Sequence, residues 1–164
     1  MANAAPPFSN LTRDKLDILL RLSEAALPLW TRFQNALGDE VPDHVNEATQ
    51  AFAAIHDATK AWLETGELDA EELQAHVDAV GEGATEAGEN SQTEIADQAV
   101  PAALAAVLVE TLAWALGSLA DADIVGEGTP GPGGPDMDGM LEAANSEPEI
   151  GTIRDLWRQF LAAS

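Results

Sequence analysis

Wherever the chain is apolar, the apolar positions recur at three- and four-residue steps, and no β-branched run alternates with polar residues. The pattern predicts helices and no strands. Leu16, Leu19, Leu20, Leu27, Trp30, Phe33 and Leu37 mark a first helix near 10–37. Pro28 either kinks it or opens a second helix at its first turn, and Gly38 closes it. The clearest element is predicted at 43–65, with Asp43 as N-cap and Val45, Ala48, Phe52, Ile55, Thr59 and Trp62 forming one narrow seam. Gly66 ends it.

Asp69 and Glu72 have capping-box spacing, and Leu68 and Leu73 stand where a hydrophobic staple places them, so a short helix is expected at 69–80. The glycine-rich acidic stretch GEGATEAGEN, 81–90, reads as a flexible connection. Ser91 and Glu94 repeat the capping spacing ahead of a long apolar helix at 91–119, whose start Pro101 delays or bends. GEGTPGPGGPDMDG, 126–139, is too rich in Gly and Pro for helix or central strand and is expected to be a flexible loop, as is 1–8. Thr152 with Asp155 suggests a last N-cap, for a helix at 152–163 carrying Ile153, Leu156, Trp157, Phe160 and Leu161. The expected architecture is all-α: one helical domain over 1–164, a bundle of four main helices plus short helices with an acidic Gly/Pro-rich loop.

The stretch 101–120 is long and apolar enough to raise the question of a membrane span. Glu110 near its centre, its alanine content and the lack of flanking Lys or Arg favour a buried central helix instead. A carboxylate on so apolar a helix needs a partner, faces water or takes up a proton. An ion pair at the bundle edge with one of Arg13, Arg21, Arg32, Arg154 or Arg158 is the expected solution.

Charge changes the picture more than composition does. The chain has 29 acids against 7 bases, a formal charge of −22. Residues 1–32 carry +1 and the segment from Arg154 onward carries +1, which leaves −24 between them with Lys60 as the one base. From 61 to 153 there are 20 acids and no Lys or Arg, so that stretch cannot neutralise itself through local ion pairs. Such a balance excludes a sequence-independent grip on nucleic acid or on an anionic membrane.

Several known chemistries drop out by residue type. Glycosidase-like carboxylate pairs do not, since acids are everywhere, but aromatics to stack on a sugar are few and only Glu110 stands in an apolar setting. There is no cysteine, hence no disulfide, thiolate metal site or Cys nucleophile. No phosphate-cradling G-K-[ST] loop, G-x-G-x-x-G or G-x-S-x-G occurs. The residues three before His44, His56 and His76 are Val41, Ala53 and Leu73, so the E-x-x-H pairs of a di-iron bundle are missing. His76 with Glu72 and His44 with Glu47 could each offer two metal ligands, too few for a site, and all three histidines read as solvated surface. Asp121, Asp123 and Gly126 begin an EF-hand-like run that Val125 and Pro132 break. No catalytic residue, metal or cofactor is expected. The opening MANAAPPFSN has neither a basic nor an apolar signal region, and a cytoplasmic chain is expected.

The densest acidic run, Glu64, Glu67, Asp69, Glu71, Glu72, Asp78, Glu82, Glu86 and Glu89, is the candidate partner-binding surface, with Asp121, Asp123, Glu127, Asp136 and Asp138 second. Trp30, Trp62, Trp114 and Trp157 fall on four different predicted helices, and Trp157, between Arg154 and Arg158, is the candidate interface anchor. The expectation is a non-enzymatic inhibitor or binding protein that covers a basic partner: a toxin, a nuclease or a nucleic-acid-binding protein. An immunity-type antidote and a DNA mimic are two forms of it. The alternative is salt adaptation, in which acidity serves solubility and is unrelated to the role.

Overall fold

The computed structural model describes residues 11–90, 93–122, 139, 141–142, 144 and 147–163. The expectations for 1–8, Ser91 and 126–138 lie outside them. Among the described residues there are five α-helices, one 3-10 turn at Gly38–Glu40 and no strand: α1 Arg13–Ala36, α2 Asp43–Thr65, α3 Ala70–Glu89, α4 Ala96–Leu119 and α5 Ile150–Ala162. The protein is an all-α bundle.

Capping explains some boundaries and corrects others. Thr12 caps α1, its hydroxyl accepting from the Lys15 N–H at 3.1 Å, and Pro28 sits inside the helix on its exposed side. Asp43 is not a cap. Pro42 holds that position in extended conformation, and Asp43 is the first residue of α2, where its charge suits the positive end of the helix dipole. Gly66 closes α2 with φ +76°, a left-handed conformation that a side chain would resist. Asp69 caps α3 as its spacing implies, accepting from the Glu72 N–H at 3.1 Å. At α4 the helix begins at Ala96, and at α5 it begins at Ile150, so Thr152 lies inside the first turn rather than at the cap.

The largest correction concerns 81–90, which is helix to Glu89 and not a connection. The glycines serve close packing. A Cβ built on Gly83 would stand 2.5 Å from the Cβ of Ala48 and 2.9–3.0 Å from the Trp30 ring, so only a residue without a side chain lets α3 lie this near α1 and α2.

Helix α4 is the centre. It packs against α1 most extensively and also against α2 and α3, and its buried residues run right around the helix. It is also the one described helix long and apolar enough to cross a membrane, and most of it is buried inside the bundle. The remaining helices line up as antiparallel neighbours with recognisable clasps. Between α1 and α2, Trp30 donates to the Thr49 hydroxyl at 2.8 Å, Thr49 donates to Gln34 Oε1 at 2.7 Å and Gln34 donates to Asn46 at 2.8 Å. At the other end Arg13 donates to the Leu63 carbonyl and lies 4.9 Å over the Trp62 ring. Helix α5 packs on α1, where Phe160 meets the buried Lys15 ammonium at 5.0 Å and Arg32 grips both Glu147 and Glu149.

Two substitutions separate packing from propensity. Gly83→Ala is expected to destabilise by about 1–2 kcal/mol, overpacking outweighing the helix propensity gained. Gly88→Ala, where an added Cβ meets nothing within 4 Å, is expected to stabilise by up to about 1 kcal/mol. Urea unfolding of the two variants checks both signs.

Candidate functional site

The acidic run occupies one edge of the bundle, formed by the end of α2, the turn after it and the outer face of α3. The inner face of α3 is apolar: Leu73, Val77, Val80, Gly83 and Ala87 are buried. Their 3,4 spacing turns Glu71, Asp78, Glu82 and Glu89 outward together, and all four are exposed, as are Glu64, Glu67, Asp69 and Glu72.

Several of these acids have local duties. Asp69 is the α3 cap; Glu72 lies 3.6 Å from His76; Asp78 accepts from Gln74 at 3.0 Å. Glu86 is half-buried, bonded to His44 at 2.9 Å and accepting from Asn90 at 2.9 Å. Glu64, Glu67, Glu71, Glu82 and Glu89 make no side-chain hydrogen bond or ion pair among the described residues.

Arg13 is taken up at the end of α2 by the Leu63 carbonyl and the Trp62 ring, and the other arginines and Lys60 pair with acids elsewhere. Arg21 pairs with Asp17 at 2.8 Å, Lys60 with Glu24 at 3.1 Å, Arg158 with Asp155 at 3.5 Å and Arg154 with Glu142 at 3.7 Å. Arg32 pairs with Glu147 at 3.1 Å and with Glu149, whose carboxyl it holds below the ordinary carboxylate range by hydrogen bonding. Among the described residues the run from Glu64 to Glu89 therefore meets two cation-forming side chains, His44 and His76, and no Lys or Arg.

Beside this edge α2 and α3 leave a groove of about 390 Å³. Its apolar lining is Ala54, Ala58, Ala61, Leu68 and Leu73, and its polar lining is Asp57, Glu67, Asp69, Glu72 and His76. Among the described residues no three of His, Asp and Glu converge closely enough to hold a metal ion.

The other candidates sit elsewhere. Asp121 is exposed beyond the end of α4 with φ +61°; its N–H and that of Ala122 bond back to Ser118 and Gly117, a Schellman stop in which an aspartate takes the usual glycine place. Asp123, Glu127, Asp136 and Asp138 lie outside the described residues. Trp157 is 9% exposed and stacks on Phe160 at 5.2 Å, so its ring supports α5 from within rather than projecting from it. Glu110 is not at the bundle edge. It is 1% exposed, Gly81 of α3 lies against it, and no buried side-chain oxygen or nitrogen among the described residues lacks a hydrogen-bond partner.

Two histidines differ from expectation. His44 pairs with Glu86 across α2 and α3 rather than with its neighbour Glu47. His56 is 5% exposed and its Nε2 lies 2.8 Å from the Ser23 hydroxyl, a buried polar contact between α1 and α2 that the periodicity hid. It stands one turn after Phe52, on the shoulder of the seam, which is the signal that it turns inward.

Protein-family models, curated proteins and solved structures were each compared with the chain, and none matches it.

Burial holds the His56 imidazole below its ordinary pKa of 6.5; nearby Glu24 and Asp57 oppose the shift and Lys60 adds to it. The unfolded chain therefore takes up this proton at a higher pH than the folded one. Stability from the neutral ring is complete above about pH 6.5 and is lost as pH falls through the lowered folded value. Urea unfolding at pH 7.5 and 5.5 is expected to show a larger loss for the wild type than for His56→Gln; equal losses would contradict this.

Proposed function

We propose that this protein is a non-enzymatic inhibitor or binding protein whose α2–α3 edge covers a basic surface on a partner protein. One observation carries the reading: among the described residues the exposed acids from Glu64 to Glu89 form no ion pair with Lys or Arg, while Arg21, Arg32, Lys60, Arg154 and Arg158 pair with acids at other places and Arg13 is taken up by the Leu63 carbonyl and the Trp62 ring. A concentration of charge on one edge steers encounter with an oppositely charged surface and disfavours other partners.

The charge density bears on the kind of partner. Six carboxylates on α3, from Glu71 to Glu89, span about 27 Å at a rise of about 1.5 Å per residue, or one charge per roughly 4.5 Å. Duplex DNA carries one per about 1.7 Å. That contrast favours an immunity-type antidote fitted to one basic protein, such as a nuclease toxin, over close imitation of a duplex. Salt adaptation has less support, because it would acidify exposed positions throughout, whereas α1 and α5 carry most of the basic residues.

Changing Glu64, Glu67, Glu71, Glu82 and Glu89 together to Gln is expected to leave the helical fold intact, since exposed charges contribute little to stability. A basic protein recovered by the wild type at low salt and identified by mass spectrometry is expected to bind the five-fold variant at least about tenfold more slowly in stopped flow. An unchanged rate overturns the reading. Thermal unfolding across a salt series tests the rival. The chain is expected to be folded at about 0.1 M salt, where the Debye length is about 10 Å, with modest further stabilisation as salt screens self-repulsion. Folding only near molar salt would make the acidity an environmental trait.

A further inference from the structure

We infer that the groove between α2 and α3 is a docking slot for a basic amphipathic helix of the partner, Lys or Arg stems lying along its floor and their charged heads meeting its rim. The inference rests on the binding role proposed above and names the chemistry that this edge recognises.

The floor is apolar because Ala58 and Ala61, on one stripe of α2, are too short to fill the space that Leu68 borders across the turn. The rim is anionic, with Asp57 on α2, Glu67 in the turn and Glu72 on α3. At about 390 Å³ the space is near the small end of the range of ligand pockets, about 300–1,000 Å³. A compact metal ion does not fit the arrangement, since no three ligating side chains among the described residues converge. A polyanion is repelled. The group that satisfies floor and rim together is a cation on an alkyl stem, which buries methylenes while its head stays at the polar border. A helix presents such side chains three and four residues apart, together with the apolar neighbours that the leucine border accepts.

The probe is a synthetic 14-residue Lys/Leu amphipathic helix, compared with oligolysine of equal charge, at about 0.1 M salt. The wild type is expected to bind the amphipathic peptide at least about tenfold more tightly than oligolysine, and Ala61→Leu, which fills the slot at an exposed position without changing charge, is expected to lose that advantage. Methyl NMR of the wild type is expected to shift Ala58 and Ala61 on titration with the peptide. Equal binding of both peptides, or an Ala61→Leu variant that binds like the wild type with the alanine methyls unmoved, overturns the slot. If the five-fold Gln variant still slows association with the basic partner, the acidic-edge reading survives that result. Failure of the wild type to bind the amphipathic peptide also overturns the slot, and the association experiment decides the broader reading separately.

Discussion

The arrangement of the first three helices depends on the seating of one indole. Trp30 is fully buried, stacks on Phe52 at 5.1 Å and meets Phe33 at 5.4 Å, while its N–H is taken by Thr49. Its far edge rests where Gly83 has no side chain. One ring thus sets the distance between α1 and α2 and the approach of α3 to both. Truncating a buried aromatic costs about 3–5 kcal/mol in general, against total stabilities of about 5–15 kcal/mol, so a site of this kind is a large share of what holds a small domain. The acidic edge follows from it. With Gly83 pressed inward, the phase of α3 is fixed and Glu71, Asp78, Glu82 and Glu89 have only the outside to face.

Helix α4 solves a different problem. A segment apolar on all sides is stable in water only when surrounded, and α1, α2 and α3 supply most of that cover. Because α4 needs so many neighbours, the polar surface of the protein is concentrated on the other helices, α3 above all. The basic residues complement this division: on α1, Arg32 fixes the start of α5, Arg13 the end of α2, and Arg21 pairs within its own helix. They are used for architecture, which is why they do not neutralise the edge.

Much of the fold was legible in the sequence, for reasons that can be located. The α2 seam from Val45 to Trp62 is buried throughout because a strict 3,4 repeat leaves a helix only one face to bury, and Gly66 and Asp69 mark the α2–α3 turn because a left-handed stop and an oxygen cap are local requirements. The caps of α2 and α5 were misplaced by a few residues, while the larger failures were non-local. Gly81, Gly83 and Gly88 read as breakers because propensity is counted within a segment, whereas the need for Gly83 comes from Trp30, more than fifty residues away. The contact of His56 with Ser23, 33 residues away, was hidden in the same way. The acidic run was visible as composition, but its lack of Lys or Arg partners depended on where Arg32, Arg154 and Lys60 reach in three dimensions. The groove was not legible at all, since alanine on a helix signals propensity and only the neighbouring helix makes it a floor.

The pairing of α5 with α1 joins the first and last of the described helices, which synthesis makes in that order. The α1 surface that receives α4 and α5 is made before either of them, and they reach it after α2 has had time to close on α1 and α3 on α2 through short antiparallel turns. Leu16, Leu19 and their neighbours are thus open to other chains in the crowded interval before α4 and Phe160 arrive. In that interval the nascent chain already carries the carboxylates of α3, and the mutual repulsion of half-made copies disfavours their association. The acidity that marks the finished surface also guards the unfinished one.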